Sequence, residues 1–317
     1  MKIVVLDAYT LNPGEFSWDG FARHGELEVY DRTTDESVVK RIRDASAIFT
    51  NKVVITAEIM AAAPQLKYIG VMATGVNVVD LGAAKKAGIT VTNIPAYSTD
   101  SVAQLVFSFI LNLTNQIAEH NRAVRDGAWT NCVDFSFRLG RQVELAGKVI
   151  GIVGFGRIGQ KVATIAQAFG MKVLFQSRSV KENVPAGFQQ VELDDLLRAS
   201  DFVSLNCPLT ADSFEFMNAS KFSIMKKGAV LINTGRGPLV HEQDLANALN
   251  DGHLGAACLD VLSTEPPKET NPLLNATNCY ITPHIAWATF EARTRLMEIL
   301  LTNFEAYLNN KPQNIVT

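Results

Sequence analysis

Long hydrophobic runs are scarce in this 317-residue chain. Its most apolar stretch, residues 102–113, is too short to cross a bilayer and is interrupted by Gln104, Ser108 and Asn112, so it predicts a buried helix and no membrane partner. Cysteine is scarce too. Cys132, Cys207, Cys258 and Cys279 stand apart without CxxC or Cys/His ligand spacing, which argues against a disulfide scaffold and predicts reduced, mostly buried thiols in a cytoplasmic protein with no metal. An excess of either charge is missing: 29 Lys and Arg against 32 Asp and Glu leave −3, which gives no electrostatic reason for a nucleic-acid partner. No low-complexity segment or short repeat is visible. The strand-like KIVVLD at the start predicts no signal peptide.

What is present has ordinary globular proportions, with 47% apolar and 19% charged residues. The length predicts two domains. The organising stretch is residues 148–170, KVIGIVGFGRIGQKVATIAQAFG. Val149, Ile150, Ile152 and Val153 read as a strand buried on both faces, and Ile158, Val162, Ile165, Ala166 and Phe169 recur at helical spacing up to a stop at Gly170. Between them lie Gly154 for a tight turn, Gly156 for close approach of a pyrophosphate, and Gly159 for packing helix on strand. This is the dinucleotide fingerprint in its required context, with a second strand at residues 172–176.

Along the chain, KIVVLD, ELEVYD, AIFTN, LKYIGVMA and ITVTNI alternate with helical patterns at residues 36–45 and 57–63. That rhythm predicts an α/β domain with a parallel sheet, whose loop Ala73-Thr74-Gly75 follows a strand where open sheets hold ligands. One long helix is expected from Ser101 to about Asp126. The irregular segment 127–147, with Trp129, Phe135 and Phe137, is either a loop covering its own domain or a surface that packs on another subunit, and its clustered aromatics favour the second. From Lys148, six strands (KVIGIVG, KVLFQ, DFVSLNC, AVLINTG, GAACLDV, CYITPH) suit a doubly wound nucleotide-binding sheet, and residues 290–309 form a last helix.

Hydride exchange with a 2-oxo acid needs, beside a nicotinamide, a cation for the carboxylate, a proton donor for the carbonyl oxygen, and a group that tunes the donor. Arg236 in INTGRGPLV, Glu265 in LDVLSTEPP and His284 in YITPHIAW offer one of each at strand ends. Singly, each reads as a loop or strand-end residue. Together with GFGRIG, VMATGVNVVD and NIPAYSTDSVAQ, these segments resemble the D-isomer-specific 2-hydroxyacid dehydrogenases, especially the glycerate dehydrogenase and hydroxypyruvate reductase branch.

The resemblance implies two Rossmann-like domains: a doubly wound cofactor domain, residues 99–285, inserted into a discontinuous flavodoxin-like substrate domain, residues 1–98 and 286–317, with the active site in the cleft between them. It implies His284 as acid/base, Glu265 holding its tautomer and favouring its charged form, and Arg236 gripping the substrate carboxylate with help from amides at Ala73, Thr74 and Gly75. Gly154, Gly156, Arg157, Ile158 and Gly159 would bind the cofactor. Cys207, Pro208 and Thr234 would line its channel, and Asp260 would sit beside the carboxamide. The expected assembly is a homodimer.

The second strand departs from the commonest pattern. An NAD site usually has Asp or Glu about 20 residues beyond the glycines. Here LFQSRSVK puts Ser177 in that position and Arg178 next to it, a pair suited to a 2′-phosphate, so NADP(H) is favoured and NAD(H) is the alternative. Asn206 stands where relatives often have His, and Gln104 where Glu is frequent. The expected activity is reduction of hydroxypyruvate or glyoxylate to the D-hydroxy acid. The rivals are an NAD-dependent dehydrogenase for another D-2-hydroxy acid and a nucleotide-sensing corepressor-like protein, and the complete Arg/Glu/His set argues for turnover over sensing.

Overall fold

A computed structural model describes residues 1–182 and 184–317. They divide into two compact units, Met1–Ser98 with Ala288–Thr317, and Thr99–Trp287.

The first unit opens with β1 (Lys2–Val5), α1 (Asp19–Ala22), β2 (Glu26–Val29), α2 (Asp35–Ile42), β3 (Ala47–Thr50), α3 (Ala57–Ala61), β4 (Tyr68–Val71), α4 (Leu81–Lys86) and β5 (Thr90–Thr92). The strands form one parallel sheet in the order β2-β1-β3-β4-β5, the flavodoxin-like order. β3 and β4 are buried along their whole length, as strands covered on both faces must be, whereas β2 at the edge keeps Glu26 and Val29 in solvent. Helix starts follow local chemistry: Asp80 caps α4 by accepting from the Ala83 amide at 2.9 Å, and Thr56 caps α3 through Ile59.

The second unit begins with α5 (Thr99–Asn115) and α6 (Ile117–Arg125). The single helix expected over this stretch is broken, because Gln116 adopts the left-handed conformation with φ +50°. No glycine or proline marks the break. α5 buries Val102, Val106, Phe109 and Ile110, while α6 buries nothing and turns away.

Then come β6 (Val149–Val153), α7 (Arg157–Ala168), β7 (Lys172–Gln176), β8 (Phe188–Gln190), α8 (Leu193–Ala199), β9 (Phe202–Leu205), α9 (Ala219–Ile224), β10 (Val230–Asn233), α10 (Glu242–Asn250), β11 (Ala256–Leu259) and β12 (Cys279–Ile281). The sheet has seven parallel strands in the order β12-β11-β10-β9-β6-β7-β8. It includes β8, a three-residue edge strand, FQQ, too short to show a pattern in the sequence. The order reverses between β6 and β9, the switch point where such sheets take dinucleotides. Successive residues of β10 feed opposite layers: Leu231 joins Leu205, Leu245 and Leu259 on one face, Ile232 joins Ile150, Phe175 and Val162 on the other.

The chain returns to the first unit as α11 (Phe290–Leu308). Its Phe304 is fully buried among Phe21, Phe49 and Tyr68, with ring centroids 5.3–6.3 Å away. Asn303 donates to the Asn93 carbonyl at 2.9 Å and accepts from Asn314 at 2.8 Å. Among the described residues no single helix is long and apolar enough to cross a membrane.

Candidate active site

In the second unit each sequence-derived site residue lies just beyond the C-terminal end of a strand: the glycines after β6, Ser177 and Arg178 after β7, Cys207 and Pro208 after β9, Thr234 and Arg236 after β10, Asp260 and Glu265 after β11, His284 after β12. Parallel strands in register bring these ends to one edge of the sheet.

The glycine turn is shaped as the spacing requires. Gly154 has φ +95°, and a Cβ there would lie 2.6 Å from the Cys207 amide nitrogen. A Cβ on Gly159 would lie 2.2 Å from the Gly154 carbonyl oxygen, so α7 seats against β6 only with glycine there. Gly156, the residue before the helix, faces open space. Arg157 and Ile158 open α7, whose first amides lack intrahelical partners and suit an anion.

Two buried polar atoms close by are unpartnered: Thr234 Oγ1 and Asn206 Oδ1. The Asn206 amide donates to Ser204 O (3.2 Å) and Oγ (3.0 Å), which leaves Oδ1 as the acceptor without a partner. Orphaned buried groups are costly, and a polar ligand would satisfy them. The open glycine, the free amides and these two atoms fit a dinucleotide. Burial pushes the Cys207 thiol up, keeping it protonated.

His284 and Glu265 are brought together. Nδ1 lies 2.6 Å from Glu265 Oε2, with side chains 29% and 34% exposed, so the pair is reachable from solvent. The carboxylate accepts the Nδ1 proton, which fixes the tautomer and leaves Nε2 for a reacting group. Glu265 Oε1 accepts from the Leu262 amide at 3.1 Å, anchoring the carboxylate.

His284 is left-handed, φ +55°, a rare state for a residue with a Cβ. Its amide donates to the Asp260 (2.8 Å) and Thr282 (2.9 Å) carbonyls. Asp260, 1% exposed, accepts from Thr282 Oγ1 (2.6 Å) and the Ile285 and Ala286 amides (2.8 Å each). Burial lifts the Asp260 carboxyl above the usual carboxylate range although these bonds pull it down. Asp260 therefore holds the turn that presents His284.

Arg236 is exposed, and its Nη1 donates to the Gly235 carbonyl at 2.8 Å. Asn233, buried at the end of β10, spans its loop, donating to the Arg236 carbonyl (2.8 Å) and accepting from the Gly235 amide (3.0 Å). Glu242 does the same for the loop of Glu265, accepting from the Ser263 amide (2.8 Å) and Asn271 (2.9 Å). Sequence reasoning missed Asn233 and Glu242 as supports of the site, and singled out Asn206 only as a departure from its relatives. The place of Asn233 at a strand end was the one signal for it.

In the first unit, Ala73, Thr74 and Gly75 follow β4 in a loop tied to residues 93–94. Thr74 Oγ1 donates to the Ile94 carbonyl (2.7 Å), Asn93 to the Thr74 carbonyl (2.7 Å), and the Ile94 amide to the Ala73 carbonyl (3.0 Å).

A sheet with a reversal of strand order, a glycine cradle at that reversal and a carboxylate-held histidine at a neighbouring strand end define a dinucleotide-dependent oxidoreductase. The NAD binding domain of the D-isomer specific 2-hydroxyacid dehydrogenases matches residues 107–286, and the chain belongs to that family, acting on the CH–OH group of donors. It is 47% identical to a hydroxypyruvate reductase of Blautia hydrogenotrophica, covering 100% of this chain and 99% of that one, and 38% identical to a glycerate dehydrogenase of Methylorubrum extorquens, covering 99% and 98%. Among solved structures, an acyclic imino acid reductase (Bsp5) in complex with NADPH and D-Arg aligns with TM-score 0.87 and 33% identity over all of both chains. The family places this chain among NAD(P)-dependent oxidoreductases of 2-oxo and 2-hydroxy acids.

Proposed function

We propose that the protein reduces hydroxypyruvate and glyoxylate to D-glycerate and glycolate with NADPH. The observation that carries the reading is the 2.6 Å contact between His284 Nδ1 and Glu265. A bound nicotinamide supplies the hydride. Charged His284 then gives its Nε2 proton to the carbonyl oxygen as negative charge develops there, and Glu265 holds the ring and stabilises its charged state; in oxidation the same atom takes the proton back. Arg236 grips the carboxylate with its planar fork, and amides at Ala73, Thr74 and Gly75 supply further donors.

In this reading Thr99–Trp287 is the cofactor unit and Met1–Ser98 with Ala288–Thr317 the substrate unit. Arg157, Ile158, Cys207, Pro208 and Thr234 contact the cofactor, and Asp260 accompanies its carboxamide. The 2′-phosphate falls to Ser177 and Arg178. Ser177 is half-buried at the end of β7, Arg178 is exposed, and among the described residues no ion pair engages its guanidinium. The names of the two curated relatives and the NADPH of the solved neighbour support substrate and cofactor.

We also propose a homodimer, built through the arm of residues 127–147, where Val133 is 101% and Phe135 90% exposed. Four free thiols and near-neutral charge support a cytoplasmic protein without a nucleic-acid or membrane partner.

The test is steady-state oxidation of NADPH and NADH, in parallel, with hydroxypyruvate, glyoxylate, pyruvate and an aromatic 2-oxo acid. Fastest turnover of NADPH with the two small acids is expected. Turnover with NADH alone would discard the phosphate site, and turnover confined to the bulky acid would discard the substrate.

A further inference from the structure

The segment carrying Ser177 and Arg178 leaves the sheet at Gln176, and nothing in its own sequence gives it a fixed shape. Gln190, on the edge strand β8, supplies one. β7 and β8 pair in parallel with Phe175 opposite Gln190, so the Gln190 side chain stands beside the chain just past the end of β7. Its Nε2 donates to the carbonyls of Ser177 (3.3 Å) and Ser179 (3.2 Å), and its Oε1 accepts from the Lys181 amide (2.9 Å). One primary amide thus uses both donor hydrogens and its acceptor on three backbone groups within five residues. The donors fall on alternate carbonyls, 177 and 179, so the clamp fixes the peptide plane that leads into Arg178 and the one that follows Ser179, bracketing the arginine.

We propose that Gln190 is a positioning residue for 2′-phosphate recognition: by clamping residues 177–181 it sets the direction in which Ser177 and Arg178 present their donors. The inference rests on the NADPH reading above. Two physical points support it. An arginine on an unconstrained loop spends conformational entropy when it engages a phosphate, whereas a loop already held in place spends less. The clamp is also neutral. A carboxylate here would accept from Lys181 equally well, but it would lose both donations and put a negative charge beside a group carrying up to about two negative charges.

The test compares Gln190→Ala and Gln190→Glu with the unaltered protein, by calorimetric titration with 2′,5′-ADP, which carries the 2′-phosphate, and with 5′-AMP, which lacks it. Gln190→Ala should weaken 2′,5′-ADP about tenfold, the scale of one or two lost hydrogen bonds, and change 5′-AMP less than about twofold. Gln190→Glu should weaken 2′,5′-ADP further, again sparing 5′-AMP. In kinetics the KM for NADPH should rise with kcat unchanged. Equal losses for both ligands, or none for either, would overturn the positioning role while leaving the NADPH reading intact. If the unaltered protein itself binds 2′,5′-ADP no better than 5′-AMP, the NADPH reading falls and this inference with it. Far-ultraviolet circular dichroism identifies any variant that has not folded, and Gln190→Asn, shorter by one methylene, then stands in for it.

Discussion

His284 carries two separate constraints. One is chemical: Nδ1 is committed to Glu265, so Nε2 is the ring nitrogen left for a further partner. The other is conformational, since its left-handed backbone costs on the order of 1–3 kcal/mol and is held by hydrogen bonds that its amide donates to the Asp260 and Thr282 carbonyls. Replacing His284 by Ala should therefore lower kcat by about two to four orders of magnitude while nucleotide affinity, followed by fluorescence titration, stays within about twofold. Near-normal turnover would remove the proton-donor role. The pairing of His284 with Glu265 was legible only through the family resemblance of YITPHIAW and LDVLSTEPP together, since each alone reads as a strand-end or loop residue, and the structure brings the two side chains into contact. The backbone state of His284 was not legible: positive φ is imposed here by Asp260 from another strand, a long-range contact that local sequence does not encode. The same holds for Gln190, whose bonds depend on β8 becoming the neighbour of β7.

Among elements, the glycine turn and α7 were read correctly because each demand there is local: a strand, a turn needing positive φ, a helix with one apolar face, a stop at Gly170. The break between α5 and α6 was missed because Gln116 has no intrinsic preference for the left-handed state, and it is the absence of packing beneath α6 that releases the helix. β8 was missed because three residues cannot show a period. For α11 the decisive residue is Phe304, which closes an aromatic cluster with Phe21, Phe49 and Tyr68. Phe304→Ala should destabilise the protein by about 3–5 kcal/mol. Urea unfolding followed by Trp18 fluorescence, in a background with Trp129 and Trp287 replaced by Phe, would measure it, and a loss under about 1 kcal/mol would mean that the cluster repacks.

At the scale of the whole molecule, the arm that follows α6 exposes Trp129, Val133, Phe135 and Leu139 within a short span. Several internal bonds steady it, among them Trp129 Nε1 to the Phe135 carbonyl and Asn131 Nδ2 to the Gly127 carbonyl, both at 2.9 Å, so the apolar side chains are displayed on an ordered segment. Under the dimer proposal, Val133→Asp with Phe135→Asp should shift the sedimentation coefficient from that of two chains to that of one, because two charges from each chain would have to be buried on association. An unchanged coefficient would place the interface elsewhere. The sequence hinted at this arm through its clustered aromatics. Their degree of exposure could be known only once the sheet had claimed its own core.

The first unit is made from two stretches of chain, Met1–Ser98 and Ala288–Thr317, and its aromatic cluster is completed by Phe304. During synthesis the five strands emerge first and then wait while the whole of Thr99–Trp287 is translated, roughly 10–40 s at about 5–20 residues per second. Over that interval the face of β3 and β4 that Phe304 covers stays wet, whereas the second unit, continuous in sequence, already has all its parts. Completion on the ribosome thus runs opposite to the order of birth: the unit begun first is finished last, and the growing chain must keep a half-built sheet from sticking until its final helix arrives.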